Sequence, residues 1–305
     1  MKFGIAIFPT DHAISMTELA PALEERGFES LWVAEHTHIP VEKPWPRDRW
    51  GGKLAEQYWH VLDPFEALTA AAVVTSSLKV GTGVCLLIER DPIVTAKSVA
   101  SLDHISNGRF LFGIGGGWNR GEMANHGTRF ETRWLLLRER VEAMKEIWTK
   151  DEAEYHGRMV DFAPILSWPK PVQKPHPPIV LGGNGPNTLK RVVRYADGWM
   201  PNTGDFLARI PELQRLADEA GRGPIPMTAY GRDGGGAAEI ERFRDAGVER
   251  VIYYVPADGR DAALRKLDHW TELVQPYAEP VTAPAQRVTL PRAVDRAVGG
   301  GGLDF

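Results

Sequence analysis

The sequence predicts an α/β fold: a (β/α)8 barrel with one insertion between its fourth and fifth strands. Two observations carry that reading. Short apolar runs alternate with segments of helical period along nearly the whole chain. The count of strand–helix pairs is eight. Alternation of this kind implies a parallel sheet with crossover helices, and eight units let the sheet close on itself. A doubly wound open sheet is the structural alternative, but it rarely needs so regular a count.

The first strand is read at 3–8. Ser15 and Glu18 then have capping-box spacing, in which each side chain serves a free N–H of the other's turn. Met16, Leu19, Ala20 and Leu23 share a helix face, and Gly27 stops the helix. The second strand is 30–34, followed by a long Pro/Trp/Arg-rich loop from His36 to about Leu62. Asp63-Pro64 opens the second helix, with Asp as N-cap and Pro at the first helical position. Strand three is read at 78–87, Asp91-Pro92 opens the next helix, and Asn107-Gly108 closes it. Strand four is 109–114, with a long amphipathic helix over 133–150. A small hairpin at 155–162 and a Pro-rich stretch at 164–178 form the insertion. Strands five to eight follow at 179–181, 198–201, 227–230 and 250–255, with helices at 186–196, 205–220, 237–246 and 261–274.

The chain has 305 residues, of which 43% are hydrophobic and 25% charged, an ordinary globular balance. Residues 1–278 are expected to form one barrel domain. Residues 279–305 lose periodicity, end in Gly299–Gly302 and are expected to be a disordered tail. A net charge of -4 gives no basic surface for nucleic acid or an anionic membrane. The single cysteine, Cys85, excludes an intrachain disulfide framework and fits a reducing cytosol. The N-terminal apolar run turns polar at Asp11 and His12, too soon for a signal segment, and no later stretch is long enough to span a bilayer. A cytoplasmic protein is expected.

In a closed parallel barrel, function gathers where strands end and the following loops begin. Those positions carry Glu35-His36-Thr37-His38, Gly83-Val84-Cys85, Gly115-Gly116-Gly117-Trp118-Asn119 and Gly182-Gly183-Asn184-Gly185. His36-x-His38 has zinc-ligand spacing, but the later strand ends supply Gly, Asn and Pro rather than further ligands. No metal is therefore expected, and no nucleophile elbow is present. Glycines at three strand ends let backbone approach a bulky planar or phosphorylated ligand. Gly182 to Pro186 leads from strand to helix, where free N–H groups would favour a phosphate, although Gly-Pro turns also simply connect elements.

These residues resemble a known family. Leu31-Trp-Val-Ala-Glu-His36 and Lys79-Val-Gly-Thr-Gly-Val84 resemble the second and third strands of luciferase-like monooxygenases. Ser101 to Asn119, Pro178 to Pro186 and Ala196 to Pro201 resemble later motifs in the same order, across about residues 1–276. With Trp118-Asn119 and Trp168-Pro-Lys-Pro171, the chain is most similar to the branch of F420-dependent oxidoreductases.

The resemblance implies a luciferase-like TIM barrel that holds coenzyme F420, or alternatively FMN, across its mouth. It implies a non-proline cis peptide at Gly83-Val84 backing the ring. Gly182, Gly183 and Asn184 would form the phosphate backbone, and Gly117, Trp118 and Asn119 the pocket wall. His36 would stand over the ring as catalytic acid or base, since an imidazole titrates near neutral pH. Glu35 would fix its tautomer or point into the barrel. A homodimer acting on a small organic substrate is also implied. Sugar-phosphate dehydrogenases of the family have Asp before the His and a catalytic Glu after the fourth-strand glycines. This chain has Glu35 and Trp118 there, with Glu122 four residues later and not counted into the site. Luciferases usually have His-His after the Glu, and this chain has His36-Thr37. The alternatives are an FMN-dependent monooxygenase using FMNH2 and oxygen, a non-catalytic flavin-binding barrel and a metal hydrolase. Trp45, Arg47, Arg49, Trp50 and Lys53, with Tyr58, Trp59 and His60, are read as a wall or lid over the site. His104 and His126 are taken as structural, and Cys85 as a packing residue.

Overall fold

The computed structural model describes residues 1–41, 54–202 and 204–280. In chain order the strands are β1 (Lys2–Ile7), β2 (Ser30–Val33), β3 (Lys79–Thr82), β4 (Phe110–Ile114), β5 (Glu152–His156), β6 (Asp161–Leu166), β7 (Ile179–Gly182), β8 (Gly198–Met200), β9 (Thr228–Tyr230) and β10 (Arg250–Tyr254). The helices are α1 (Met16–Glu25), α2 (Pro64–Val73), α3 (Pro92–Ile105), α4 (Arg120–Asn125), α5 (Arg133–Thr149), α6 (Thr188–Tyr195), α7 (Ile210–Glu219), α8 (Gly236–Asp245) and α9 (Arg260–Val274). Eight strands run in the order β8-β7-β4-β3-β2-β1-β10-β9, all neighbours parallel. A parallel bridge between Trp199 and Met227, with the Trp199 N–H donated to Pro226 O at 3.0 Å, joins the two ends. The sheet is a nearly closed barrel. The antiparallel pair β5–β6 forms the insertion between α5 and β7.

Both faces of the sheet are covered, so β2 and β7 are buried at every residue. Ala6, Trp32, Leu111, Val180, Met200 and Ile252 fill the barrel interior. The alternate residues, Ile5, Leu31, Val80 and Phe112 among them, pack with the helices outside. Trp32 explains the glycine beside it in β3. A Cβ at Gly81 would lie 2.7 Å from its ring, whereas one at Gly113 in β4 would lie 1.9 Å from the Thr82 carbonyl oxygen. At Gly81 the strand gives up a side chain because the indole occupies its space, its Nε1 donating to Ser30 Oγ at 2.9 Å.

The Asp-Pro devices act as read: Asp63 accepts from Phe65 N–H and Asp91 from Val94 N–H, each at 2.8 Å. Gly27 (φ 78°), Asn107 (54°) and Gly108 (76°) take the left-handed conformation that ends a helix. Three expectations need correction. The Ser15–Glu18 box does not form: Ser15 Oγ makes no cap bond and lies 3.2 Å from Thr17 Oγ1, while Glu18 pairs with Arg260. Strand three is shorter than 78–87. It leaves the ladder after Thr82, touches β4 again at Cys85–Ile114 and turns into a 3-10 segment, Leu87–Glu89. Residues 85–88 are buried, so the apolar run continued where the strand did not. Helix α4 was not expected, because six residues are too few to show a period.

At the barrel's N-terminal end Arg250 clasps the Glu29 carboxylate through Nε and Nη2 at 2.7 and 2.8 Å, tying β10 to the start of β2. The Met1 amine meets Glu279 at 2.7 Å. Trp45, Arg47, Arg49, Trp50 and Lys53 of the expected lid, and the tail from 281, lie outside the described residues. Among the described residues no helix is long and apolar enough to cross a membrane.

Candidate active site

Three strand ends meet at the C-terminal mouth. The Gly83-Val84 peptide is cis. The Val84 side chain leans across its neighbours: a Cβ at Gly115 would lie 2.5 Å from Val84 Cγ2, and one at Gly182 2.9 Å from Val84 Cγ1. Tyr230 Oη donates to Gly83 O at 3.3 Å from the far side of the barrel. Bare backbone of β3, β4 and β7 thus surrounds one valine.

His36 follows β2 and has a side chain 6% exposed. Its Nδ1 lies 2.7 Å from Glu122 Oε2, and Glu122 Oε1 accepts the Thr37 N–H at 2.9 Å. A carboxylate at Nδ1 makes that nitrogen the donor and leaves Nε2 as the lone-pair nitrogen. Glu122 is fully buried in the first turn of α4, whose N-cap is Asn119: Asn119 Oδ1 accepts from Gly121 and Glu122 N–H at 3.1 and 3.2 Å. Sequence reasoning left Glu122 out. The signal was there in Asn119-x-x-Glu122, the spacing of a helix start whose acid turns back toward the cap.

An arc of rings lines the rim. Tyr230 stacks on Tyr254 (5.4 Å, 7°), Tyr254 on Phe8 (6.4 Å, 23°), and Phe8 meets Tyr58 at 4.9 Å. Tyr58 lies 5.3 Å from His36, and His36 meets Trp118 edge-on at 5.6 Å. Thr10 bridges Val61, and His60 Nδ1 meets Asp11 Oδ1 at 2.9 Å, so the end of the long loop is tied to the end of β1. His36 and His38 share no ligand point. His38 Nδ1 meets Thr37 Oγ1 at 2.9 Å and its Nε2 meets the Asn125 amide at 2.8 Å.

Other expected residues are placed differently. Glu35 does not orient His36. It is buried, accepts Leu86 N–H at 2.6 Å and is clasped by Arg90. Cys85 is buried beside it, and burial with the Glu35 charge pushes the thiol well up, so it is a packing group. Gly117 (φ 62°) makes a left-handed turn packed over Met123. Gly183 (φ 112°) spends its N–H on Met200 O at 3.0 Å, which takes it out of the donors for a phosphate. Asn184 sits next to a cation that sequence reasoning missed: Arg209 Nη1 donates to Asn184 Oδ1 at 2.7 Å and Asn184 O at 3.0 Å. Helix α6 starts at Thr188, not at Pro186.

A cavity of about 340 Å³ opens on the same rim between Phe206, Tyr230, Arg232, Arg242 and Phe243. It lies on the β8–β9 side, across the barrel from His36. The buried His36–Glu122 pair is on the other side.

The residues present fit a flat redox ring with a phosphate. Gly83, Gly115 and Gly182 leave a surface without Cβ atoms around Val84, the rim is aromatic, and Arg209 supplies positive charge at the β7 turn. Asn119 Nδ2 and Thr10 Oγ1 are buried at the mouth with no hydrogen-bond partner among the described residues, and both can bond to a ligand.

Comparison with known proteins places the chain. The family model described as luciferase-like monooxygenase matches residues 1–232. An uncharacterised protein of Mycobacterium tuberculosis is 38% identical over 268 residues, covering 86% of this chain and 95% of that protein. Among solved structures, monooxygenase RslO1 from Streptomyces bottropensis superposes with a TM-score of 0.73 at 20% identity, covering 91% of this chain and 99% of its own. The coenzyme F420-dependent tetrahydromethanopterin reductase from Methanopyrus kandleri gives 0.69 at 21% identity over the same shares.

Proposed function

The chain belongs to the luciferase-like monooxygenase family, and from that premise we propose that it is an F420-dependent oxidoreductase acting on a small organic substrate. The observation that carries the proposal is the His36–Glu122 pair at 2.7 Å, buried beside Trp118 at the glycine-lined mouth. Bound there, the deazaflavin would supply a carbon that gives or takes a hydride. The protein's own part is then small. His36 Nε2 takes or returns the substrate proton, and Glu122 holds the ring in one tautomer and stabilises its charged form. Tyr58 and Trp118 wall the site against water and orient the substrate. Gly83, Val84 and Gly182 are proposed to back the ring, with Asn184 and Arg209 at the phosphate and Asn119 Nδ2 as a further donor. Gly117 and Gly183 shape the turns that present these groups. Glu35 is proposed to brace the second-strand end through Arg90.

Hydride transfer needs one well-held proton group, and His36 is such a group. His36-Thr37 in place of His-His and the Trp118-Asn119 pair also favour the F420 branch. The FMN-dependent monooxygenase is the second reading, since a monooxygenase, RslO1, shares the fold. Titration of the purified protein with F420 and with FMN, each followed by fluorescence, separates them. Tight F420 binding, weak FMN binding and substrate-dependent bleaching of F420 are expected. Tight FMN binding with oxygen consumption would replace the proposal with the second reading.

A further inference from the structure

Three carboxyl groups crowd behind the His36 wall, and they are not equally supplied with donors. Glu35 has the Leu86 N–H and Arg90. Glu122 has the Thr37 N–H and His36. Glu89 ends the 3-10 turn after β3, and both its oxygens are buried with no donor among the described residues. The Glu122 carboxylate lies near enough for its charge to raise the Glu89 carboxyl. His126 Nε2 is 4.0 Å from Glu89 Oε2, too far for a bond, and is engaged with Thr37 Oγ1 at 2.7 Å. The backbone of the turn is held, Arg140 donating to Leu87 O at 2.7 Å and Thr128 to Ile88 O at 2.6 Å.

Two ionised carboxylates are acceptors only and cannot bond to each other. A buried carboxylate without a donor is also costly. One proton between the two removes both problems. It resides on Glu89, because the donors on Glu122 favour the charged form there and Glu89 has none.

We propose that Glu89 is a neutral carboxylic acid that donates a hydrogen bond to Glu122 and thereby positions the His36–Glu122 pair. The role in turnover rests on the reading of His36 given above; the proton on Glu89 does not. The surroundings agree. Burial, then the charges of Glu122 on α4 and Glu35 beyond β2, push the Glu89 carboxyl up to about 9, with Arg90 opposing. His126 beyond α4 and Arg140 on α5 are the other titratable or charged groups facing it.

The sign of the pH effect follows. Unfolded, Glu89 releases its proton near 4.5; folded, it keeps it to about 9. Its presence therefore costs the fold nothing below pH 4.5, and an increasing amount as pH rises from 4.5 to 9. Glu89→Gln keeps an N–H donor toward Glu122 and has no proton to lose. The cofactor-free variant should melt higher than the wild type at pH about 8.5, with the gap closing toward pH about 4.5. An infrared spectrum of the wild type at pH 7 should hold a neutral-carboxyl C=O band that disappears above pH about 10 and is absent in Glu89→Gln. Turnover should fall about 10-fold or more in Glu89→Leu and recover in Glu89→Gln. A wild type lacking the band at pH 7, or a Glu89→Gln variant that melts lower at pH about 8.5, would overturn the proposal. The band and the melting gap persisting while His36→Ala leaves turnover unchanged would instead overturn the functional reading alone.

Discussion

His36 Nδ1 and Glu122 Oε2 lie 2.7 Å apart across 86 residues of sequence, one at the end of β2 and the other in the first turn of α4. The pair exists because Asn119 starts a helix at the fourth strand end and so turns Glu122 back toward the second. If His36 is the proton-transfer group, His36→Ala should lower turnover about 10²–10⁴-fold while leaving cofactor affinity mostly intact. Glu122→Gln keeps an acceptor for the Thr37 N–H but loses the charge, and should lower turnover about 10–100-fold. Steady-state kinetics beside a cofactor titration reads both, and full turnover in His36→Ala would remove it from the mechanism.

Arg209 brings a positive charge to the β7 turn, its Nη1 donating to Asn184 Oδ1 at 2.7 Å. If that turn receives the cofactor phosphate, Arg209→Gln should weaken binding about 10–100-fold, the worth of a charge-assisted hydrogen bond. The loss should vanish for a cofactor analogue lacking the phosphate, such as the bare deazaflavin in place of F420. Equal weakening of both would mean that Arg209 only holds the Asn184 loop.

The barrel was legible because its signals are local and repeated: apolar runs, Asp-Pro helix starts and Gly stops recur with each unit. The mouth was legible where the backbone itself is distinctive, as at the cis Gly83-Val84 peptide. It was illegible where the answer depends on which side chains face each other. Glu35 adjoins His36 in sequence but bonds Arg90, because successive residues leaving a strand point to opposite sides. Glu122 and Arg209 reach the mouth from helical turns whose direction no local pattern fixes.

Trp32 predicts a stability effect inside the barrel. Gly81→Ala would put a methyl 2.7 Å from the Trp32 ring, where close packing leaves no room. The expected cost is about 1–3 kcal/mol, seen as a lower melting temperature. Gly223→Ala is the contrast, since nothing lies within 4 Å of its would-be Cβ. That variant should be neutral or more stable by about 0.4–1 kcal/mol. Equal melting temperatures for the two would mean that Trp32 can shift within the barrel.

The Glu29–Arg250 pair predicts how the fold fails in acid. Burial raises the Glu29 carboxyl, but Arg250 and Lys79 outweigh it and hold it at about 2, below its ordinary 4.5. A carboxyl held down in the fold stabilises fully above the unfolded value and loses that contribution as pH falls through the folded one. The contribution is about 3 kcal/mol at neutral pH, lost between pH 4.5 and 2. Glu29→Gln leaves Arg250 buried without its counter-charge, so the variant should be less stable at pH 7 by about 3–5 kcal/mol. Its deficit should shrink as the wild type loses its own ion pair in acid. Melting temperatures of both proteins from pH 7 downward test this. A gap that stays constant across that range would show that the pair joining β2 to β10 is not what acid dissolves.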